Sequence, residues 1–400
     1  MKGGKSKVVT GLAGVLIIAS ALWGVALALA VKPVDGVELK TSLYTSEPTG
    51  QEITFDWPSV GAAAIGMNEK VKADFNGNKQ HAMASITKVI TALVVLDRKP
   101  ISTGESGDIL TMTEKDVALY EKTRAVNGSN IKVEVGEKIS QLAMLQAMML
   151  VSANNIADSL VDWAFGSEEE YLLVANDWLA KNGFTSTVVA DASGLNPASI
   201  STANELVKLA MMADRNATLK SIFSAKDAQF PGVGIIANTN VLLGKDGIFG
   251  LKTGHTEAAG ANLLFVSKYK LGQNEKTIYG VVLGQTSEGL FQAAKDLNSS
   301  AQSNIGRVVV LEKGTVVGQV ISGWGAMSNI VLVSDLTTAS WKDENTSQVA
   351  INASTNLGGM TSVASGQKVG VATVGFEEVD VVTKETLRAP NFLWRITNPF

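Results

Sequence analysis

An α/β fold of the segregated α+β kind, an antiparallel sheet flanked by helices and followed by a small all-β domain, is predicted by three features of the sequence. Helix-period apolar stretches dominate from about residue 85 to residue 215. An edge hairpin is read where 248–254 leads into the apolar runs 262–266 and 277–283, separated by a polar turn at Gly272-Gln273-Asn274. Past Asn304 the texture changes to short β-rich runs, among them 308–311, 316–321, 330–333, 349–351, 369–374 and 379–382, separated by Gly, Ser and Asn turns. A length of 400 residues suits two folded units rather than one.

The chain divides accordingly into a stub at 1–7, an apolar segment at 8–31, a linker at 32–57, a main domain at 58–303, a β-rich domain at 304–387 and a tail at 388–400. Lys2, Lys5 and Lys7 precede the apolar segment, which carries no charge and is long enough to span a bilayer as a helix. The lysines place that end in the cytoplasm and the rest of the chain across the membrane. Ala26-Leu27-Ala28 and Ala28-Leu29-Ala30 also fit a signal-peptide cleavage pattern, so 8–31 is read as a membrane anchor or as a cleaved signal. Pro33, Pro48 and Gly50 mark the linker.

Small apolar residues at 59–67 predict a packed strand, and Asn76-Gly77-Asn78 a turn. Apolar spacing predicts a buried helix over 85–96, stopped by Arg98-Lys99-Pro100. A weaker helix is predicted over 111–126 and a strongly apolar one over 140–151, where Met148 and Met149 are read as core packing. Ser152-Ala153-Asn154-Asn155 then interrupts the apolar run, and polar groups inside a core need partners. The helix continues over 156–180, with Glu168-Glu169-Glu170 as a solvated turn. Asp191 to Pro197 is a turn cluster, Thr202 caps a helix over 203–215, and a helix over 290–303 closes the domain. In the tail, Phe392, Trp394 and Phe400 are read as packing residues.

Composition excludes several function classes. The net charge of −4, with no basic stripe, argues against nucleic acid as a partner. The absence of cysteine removes disulfides, thiolate metal sites and a cysteine nucleophile. His81 and His255 are the only histidines and neither lies in a ligand-spaced pattern, so neither a metal nor a cofactor is called for. Serine chemistry must then rely on one of these two histidines or find another base.

Ser85-Ile86-Thr87-Lys88 offers one, because a lysine three residues after a serine shares its helical face. The same spacing recurs at Ser129 to Lys132, Ser267 to Lys270 and Ser365 to Lys368, so the setting must select among them. Only Ser85 opens a long apolar helix and is followed in order by Ser152-x-Asn154 and Lys252-Thr253-Gly254. Together with Gly136-Glu137-Lys138, Ser193-Gly194-Leu195-Asn196 and the phrase from Lys252 to Gly260, this set resembles the low-molecular-mass penicillin-binding proteins of the D-alanyl-D-alanine carboxypeptidase family. The resemblance covers roughly 59–300.

It implies a β-lactamase/transpeptidase-like fold and a serine D,D-peptidase acting through an acyl-enzyme. In that reading Ser85 is the nucleophile and Lys88 its base, provided burial lowers the amine pKa. Ser152 relays a proton to the leaving amine, and Asn154 holds the substrate amide by a two-sided hydrogen bond. Lys252 and Thr253 hold the terminal carboxylate, Gly254 lets the substrate backbone lie close, and the N–H groups of Ser85 and His255 form an oxyanion hole. The implied partners are peptidoglycan stem peptides ending in D-Ala-D-Ala, β-lactams as covalent inhibitors, and the membrane through 8–31. A D,D-endopeptidase on cross-links and a non-catalytic penicillin-binding wall sensor or scaffold remain open. A class A β-lactamase fits less well, because its Glu-x-x-Leu-Asn element is missing after Ser152.

Overall fold

The structure, a computed structural model, describes residues 14–23, 37–38, 52–102, 104–322, 324–344, 349–353, 362–389, 391 and 394. The chain divides into two compact units, one of Ile53–Ile305 and one combining Met1–Glu52 with Gly306–Phe400. The first unit is wider than 58–303 at both ends. Asp56 N–H donates to Ser300 Oγ, and Asn304 Nδ2 donates to Thr54 O, which closes the ends of the unit on each other.

Small residues at the start of this unit make β1, Ala62–Met67, buried along its whole length, and Asn68 and Glu69 turn it into β2, Lys70–Phe75, with positive φ at both. The remaining strands of this sheet come much later in sequence: β3, Ile248–Thr256; β4, Gly260–Leu271; β5, Asn274–Gln285. All pair antiparallel in the order β3-β4-β5-β1-β2, which leaves β3 at an edge. The predicted hairpin is thus three of five strands, and β1 enters beside β5 because its buried small side chains tolerate helices on the sheet face.

Helices fill the interval between the two groups of strands. A 3-10 turn, Ala84–Ile86, leads into α1, Thr87–Arg98, whose residues from Thr87 to Leu96 are all buried. Thr113 caps Glu114–Ala125 through a capping box with Asp116. Ser140 caps α2, Gln141–Leu150, by accepting from Ala143 N–H. Met148 and Met149 lie in the main core, in keeping with their reading as packing residues. The helix expected over 156–180 is two: α3, Asn154–Phe165, ends on Gly166 in the left-handed conformation, and Ser167 caps α4, Glu168–Lys181. Gly166 is the stop signal between them. Thr202 caps α5, Ala203–Arg215, as expected, and α6, Leu290–Ser303, packs on β4 and β5.

In the second unit, a sheet runs in the order Val37–Glu38, Val316–Ile321, Met327–Leu332, Glu377–Thr383, Lys368–Val374, Ala350–Ala353. Its core includes Val317, Val320, Ile330, Leu332, Val369 and Val381. Residues 37–38 pair with Val320 and Gln319, so part of the expected linker is an edge strand of the β-rich sheet. Most of the tail at 388–400, and most of 8–31 beyond the helical residues 14–23, lie outside the described residues. Among the described residues no helix is long and apolar enough to cross a membrane.

The helical layer depends on close packing around α3. Leu160 is fully buried within the main core, so Leu160→Ala is expected to lower stability by about 2 to 5 kcal/mol, read as a lower denaturant midpoint with unchanged slope.

Candidate active site

Three separate stretches of chain meet at one cleft of about 550 Å³ between the helical layer and β3. Its walls include Ser85, Ser152, Asn154, Thr253, Gly254 and His255, together with Ser129, Leu195 and Phe291. Five of the eight residues singled out from the sequence contribute side chains there, Gly254 contributes backbone, and Lys88 and Lys252 lie behind the surface.

The turn that carries Ser85 is held before it reaches that residue. Met83 N–H donates to Ser199 O, and Asn262 Nδ2 donates to both Ala82 O and Met83 O. Asn262 is fully buried on β4 and its Oδ1 accepts from Gly284 N–H on β5, so the sheet grips the turn directly. Ala84 has φ +47°, an uncommon conformation for a residue with a Cβ, and its carbonyl lies against Gly194. A Cβ on Gly194 would sit 1.9 Å from Ala84 O, and Gly194 itself has φ +81°. Only glycine fits that position.

Lys88 is 0% exposed, and its Nζ meets three oxygen atoms: Ser85 Oγ at 2.8 Å, Asn154 Oδ1 at 2.6 Å and the carbonyl of Ser193 at 2.7 Å. None of the three is charged. Burial pushes the Lys88 pKa well below its ordinary value, the nearby Lys252 pushes it further, and the carboxylates of Asp191 and Asp158 pull it back. An amine held neutral has two N–H bonds and one lone pair. Asn154 Oδ1 and Ser193 O can only accept, so they take the two N–H bonds and the lone pair is left for the Ser85 hydroxyl proton. A neutral Lys88 so placed could accept the Ser85 proton.

The same geometry bears on two expectations. Asn154 Oδ1 accepts from Lys88, which takes up one of its two lone pairs, and Nδ2 is left for other partners. Gly254 sits against the Ser85 turn: a Cβ there would lie 3.0 Å from Ser85 N and from Met83 O. Its small size serves the packing of β3 on the Ser85 turn, and its backbone lines the cleft.

Ser152 occupies the break between α2 and α3 with φ +63°, and Asn127, which also lines the cleft, has φ +53°, so two non-glycine residues of the lining adopt the left-handed region. The break is secured by Asn154 N–H donating to Ser129 O and by Asn155, whose amide bonds both N–H and C=O of Ile131. Asn155 is the partner that this interruption of the core demanded, and its full burial explains why an asparagine is there.

Lys252 is 1% exposed on β3, with Nζ donating to Thr253 O at 3.0 Å. Burial lowers its pKa to about 7. It lies behind the cleft wall, while Thr253 lines the cleft and exchanges a hydrogen bond with Thr239 at 3.0 Å. His255 is exposed on the cleft wall. His81, on the short strand before the nucleophile turn, has its pKa lowered by burial and by Lys79 and does not line the cleft.

The other Ser-x-x-Lys pairs serve elsewhere. Lys132 pairs with Glu134, Lys270 lies near Glu275, and Lys368 pairs with Asp380. Sequence reasoning did not assign roles to Ser193, Asp191 or Asn262. Asp191 accepts from Ser193 Oγ, Leu195 N–H and Ser199 Oγ, which shapes the turn that delivers the Ser193 carbonyl. The polar Asn262 at the head of an apolar strand was the available signal for its role.

Comparison with known proteins agrees with this geometry. The sequence profile of the D-alanyl-D-alanine carboxypeptidase family, peptidase family S11, matches residues 63–287. A D-alanyl-D-alanine carboxypeptidase, DacD of Salmonella typhimurium, is 26% identical over 261 residues, covering 64% of this chain and 66% of that protein. A D-alanyl-D-alanine endopeptidase of Haemophilus influenzae is 30% identical over 212 residues, covering 51% of this chain and 68% of the other. The chain thus spans just under two thirds of the length of the DacD relative. Two solved structures share the fold: a Mycobacterium tuberculosis D-alanyl-D-alanine carboxypeptidase, at 24% identity and TM-score 0.52 over 68% of this chain and 96% of its own, and Haemophilus influenzae penicillin binding protein 5, at 20% identity and TM-score 0.56 over 86% of this chain and 100% of its own.

Two measurements test the geometry. Gly254→Ala is expected to push the Ser85 turn by a few tenths of an ångström and to slow covalent reaction with penicillin about ten- to a hundredfold, without loss of fold. The second concerns stability. Unfolded Lys252 keeps its proton to about 10.5 and folded Lys252 loses it near 7, so between those values the unfolded chain binds more protons and stability rises with pH. Lys252→Met is expected to flatten that rise, followed as Tm against pH.

Proposed function

The chain belongs to the D-alanyl-D-alanine carboxypeptidase family, and from that premise we propose that it is a serine D,D-carboxypeptidase that removes the terminal D-alanine from peptidoglycan stem peptides. The observation that carries this reading is the fully buried Lys88 amine 2.8 Å from the Ser85 hydroxyl, with its two N–H bonds already engaged by neutral acceptors.

In the acylation step the Ser85 proton passes to the Lys88 lone pair as Oγ attacks the carbonyl of the scissile D-Ala-D-Ala bond. The Ser85 N–H group and that of His255 are assigned to the developing oxyanion, where one donor is typically worth about 10² to 10³ in rate. Ser152, beside Asn154 in the cleft, returns the proton to the leaving amine, and D-alanine departs. Water then attacks the acyl-enzyme, with Lys88 again accepting the proton. Thr253 is assigned to the terminal carboxylate at close range, and Lys252 adds positive charge from behind the wall, which a bound carboxylate would itself stabilise.

β-Lactams are proposed as covalent inhibitors acylating Ser85. Placement outside the cytoplasm, through an anchor or signal at 8–31, is a proposal resting on Lys2, Lys5, Lys7 and the uncharged run that follows them.

A diacyl peptide ending in D-Ala-D-Ala is expected to release D-alanine, and a cross-linked dimer peptide is expected to be cut far more slowly. The reverse ranking would move the assignment to a D,D-endopeptidase, the activity named for the Haemophilus influenzae relative. Ser85→Ala is expected to abolish D-alanine release and covalent penicillin labelling together, and retention of either would overturn Ser85 as nucleophile.

A further inference from the structure

Asn238-Thr239-Asn240 is a short loop segment that the acylation mechanism leaves without a role. It follows the short strand Gly234–Ala237 and precedes β3. Its two asparagines hold backbone. Asn238 N–H donates to Lys226 O, its Nδ2 donates to Ala225 O, and its Oδ1 accepts from Asn240 N–H. Asn240 is buried, donates from Nδ2 to Gly250 O on β3 and accepts at Oδ1 from Leu242 N–H. Between them Thr239 N–H donates at 3.1 Å to the carbonyl of Leu150, the last residue of α2. The segment is thereby fixed both to the strand that carries Thr253 and to the helix end that leads into Ser152.

This framework delivers one side chain to the cleft. Thr239 lines it beside Thr253, with the two Oγ atoms 3.0 Å apart in a shared hydrogen bond. Each hydroxyl has one proton to give and two lone pairs. As the pair stands, one proton lies between the two oxygen atoms and the other is free to point outward. A carboxylate carries only acceptors, on two oxygen atoms, so it can take both protons at once.

The rest of the wall gives such a pair its importance. Lys252, the cation assigned to the terminal carboxylate, is buried behind the wall with its Nζ on Thr253 O. Among the described residues no lysine or arginine side chain lines the cleft, and His255, two residues along β3 from Thr253, is the one titratable side chain that does. Donors that meet a carboxylate at this surface therefore come chiefly from neutral groups.

We propose that Thr239 is a substrate-binding residue, its hydroxyl and that of Thr253 together holding the terminal carboxylate of the peptide, one donor to each oxygen atom. The inference rests on the reading of the cleft as a D,D-carboxypeptidase site and adds a residue outside its three motif segments. It also makes Thr239 a specificity residue. A terminal amide removes the charge and replaces one acceptor oxygen by an N–H donor, so it loses the charge-assisted pair of bonds.

The test uses the full chain and two diacyl peptides ending in D-Ala-D-Ala, one with a free terminal carboxylate and one with a terminal amide. The readout is the ratio of kcat/KM for acid over amide, and the wild type is expected to favour the acid. Thr239→Val keeps the shape and removes the hydroxyl. It is expected to lower kcat/KM for the acid about tenfold, chiefly through KM, and to leave the amide nearly unchanged, so that the ratio falls about tenfold. Thr239→Ser is expected to restore the ratio, and Thr239→Ala supplies a second variant without the hydroxyl should valine crowd Thr253. A ratio that keeps its wild-type value in the valine and alanine variants overturns the inference, because proportional loss on both peptides reports displaced structure and not a lost carboxylate contact. A serine variant whose ratio stays at the valine level overturns it as well, as does a wild-type chain that cuts acid and amide equally. A wild-type chain that cuts neither peptide removes the proposed function and this inference with it, an outcome distinct from an active chain with an unmoved ratio.

Discussion

Burial of the Lys88 amine among uncharged oxygen atoms is the constraint on which the rest of the catalytic unit depends. A lysine in water keeps its proton far above neutral pH and cannot act as a base. To be neutral it must be desolvated, and to be useful its lone pair must point at one hydroxyl while its two N–H bonds are satisfied elsewhere. The first requirement explains why α1 is buried along nearly its whole length. The second explains why two distant stretches, the start of α3 and the turn before Asn196, converge on one nitrogen atom.

Backbone conformations that are costly elsewhere are concentrated around that nitrogen. Ala84 and Ser152 both adopt positive φ, and Gly194 lies so close to Ala84 O that no side chain fits. Each is over-determined by its surroundings. Asn262 ties the residues before Ser85 to the sheet, Asn155 ties the Ser152 break to Ile131, and Asp191 organises the turn around Ser193. Thr91 extends the same support inward, donating to Ala192 O and sharing a hydrogen bond with the buried Tyr171 hydroxyl of α4. Rigid side-chain amides thus hold the strained segments in place, and the geometry of Ser85 does not rest on loop contacts alone.

The second buried lysine has a different setting. Lys252 shares the desolvation of Lys88 but donates to a backbone carbonyl of its own strand, at the exposed edge of the sheet. Lys252 presses the Lys88 amine further toward neutrality, and the carboxylates of Asp191 and Asp158 oppose it. Asp191, the first of these, is also bound into the turn that presents the Ser193 carbonyl.

The sequence by itself determined the segregation of helices and strands, the caps at Ser140 and Thr202, the β-rich character of the region past 304 and the identity of the three motif segments. Those follow from local periodicity, capping chemistry and residue order, which a linear reading can see. It did not separate α3 from α4, because helix-period apolar residues lie on both sides of Gly166, nor did it place 37–38 in the second unit, because a two-residue edge strand has no pattern of its own. Four Ser-x-x-Lys pairs were equal as spacing, and only the tertiary structure put one lysine out of water and against its serine while giving the others surface carboxylates. It also decided that the Asn154 oxygen belongs to Lys88 and that Gly254 makes room for the Ser85 turn. Desolvation and close approach are made by residues far apart in the chain, so no local pattern carries them.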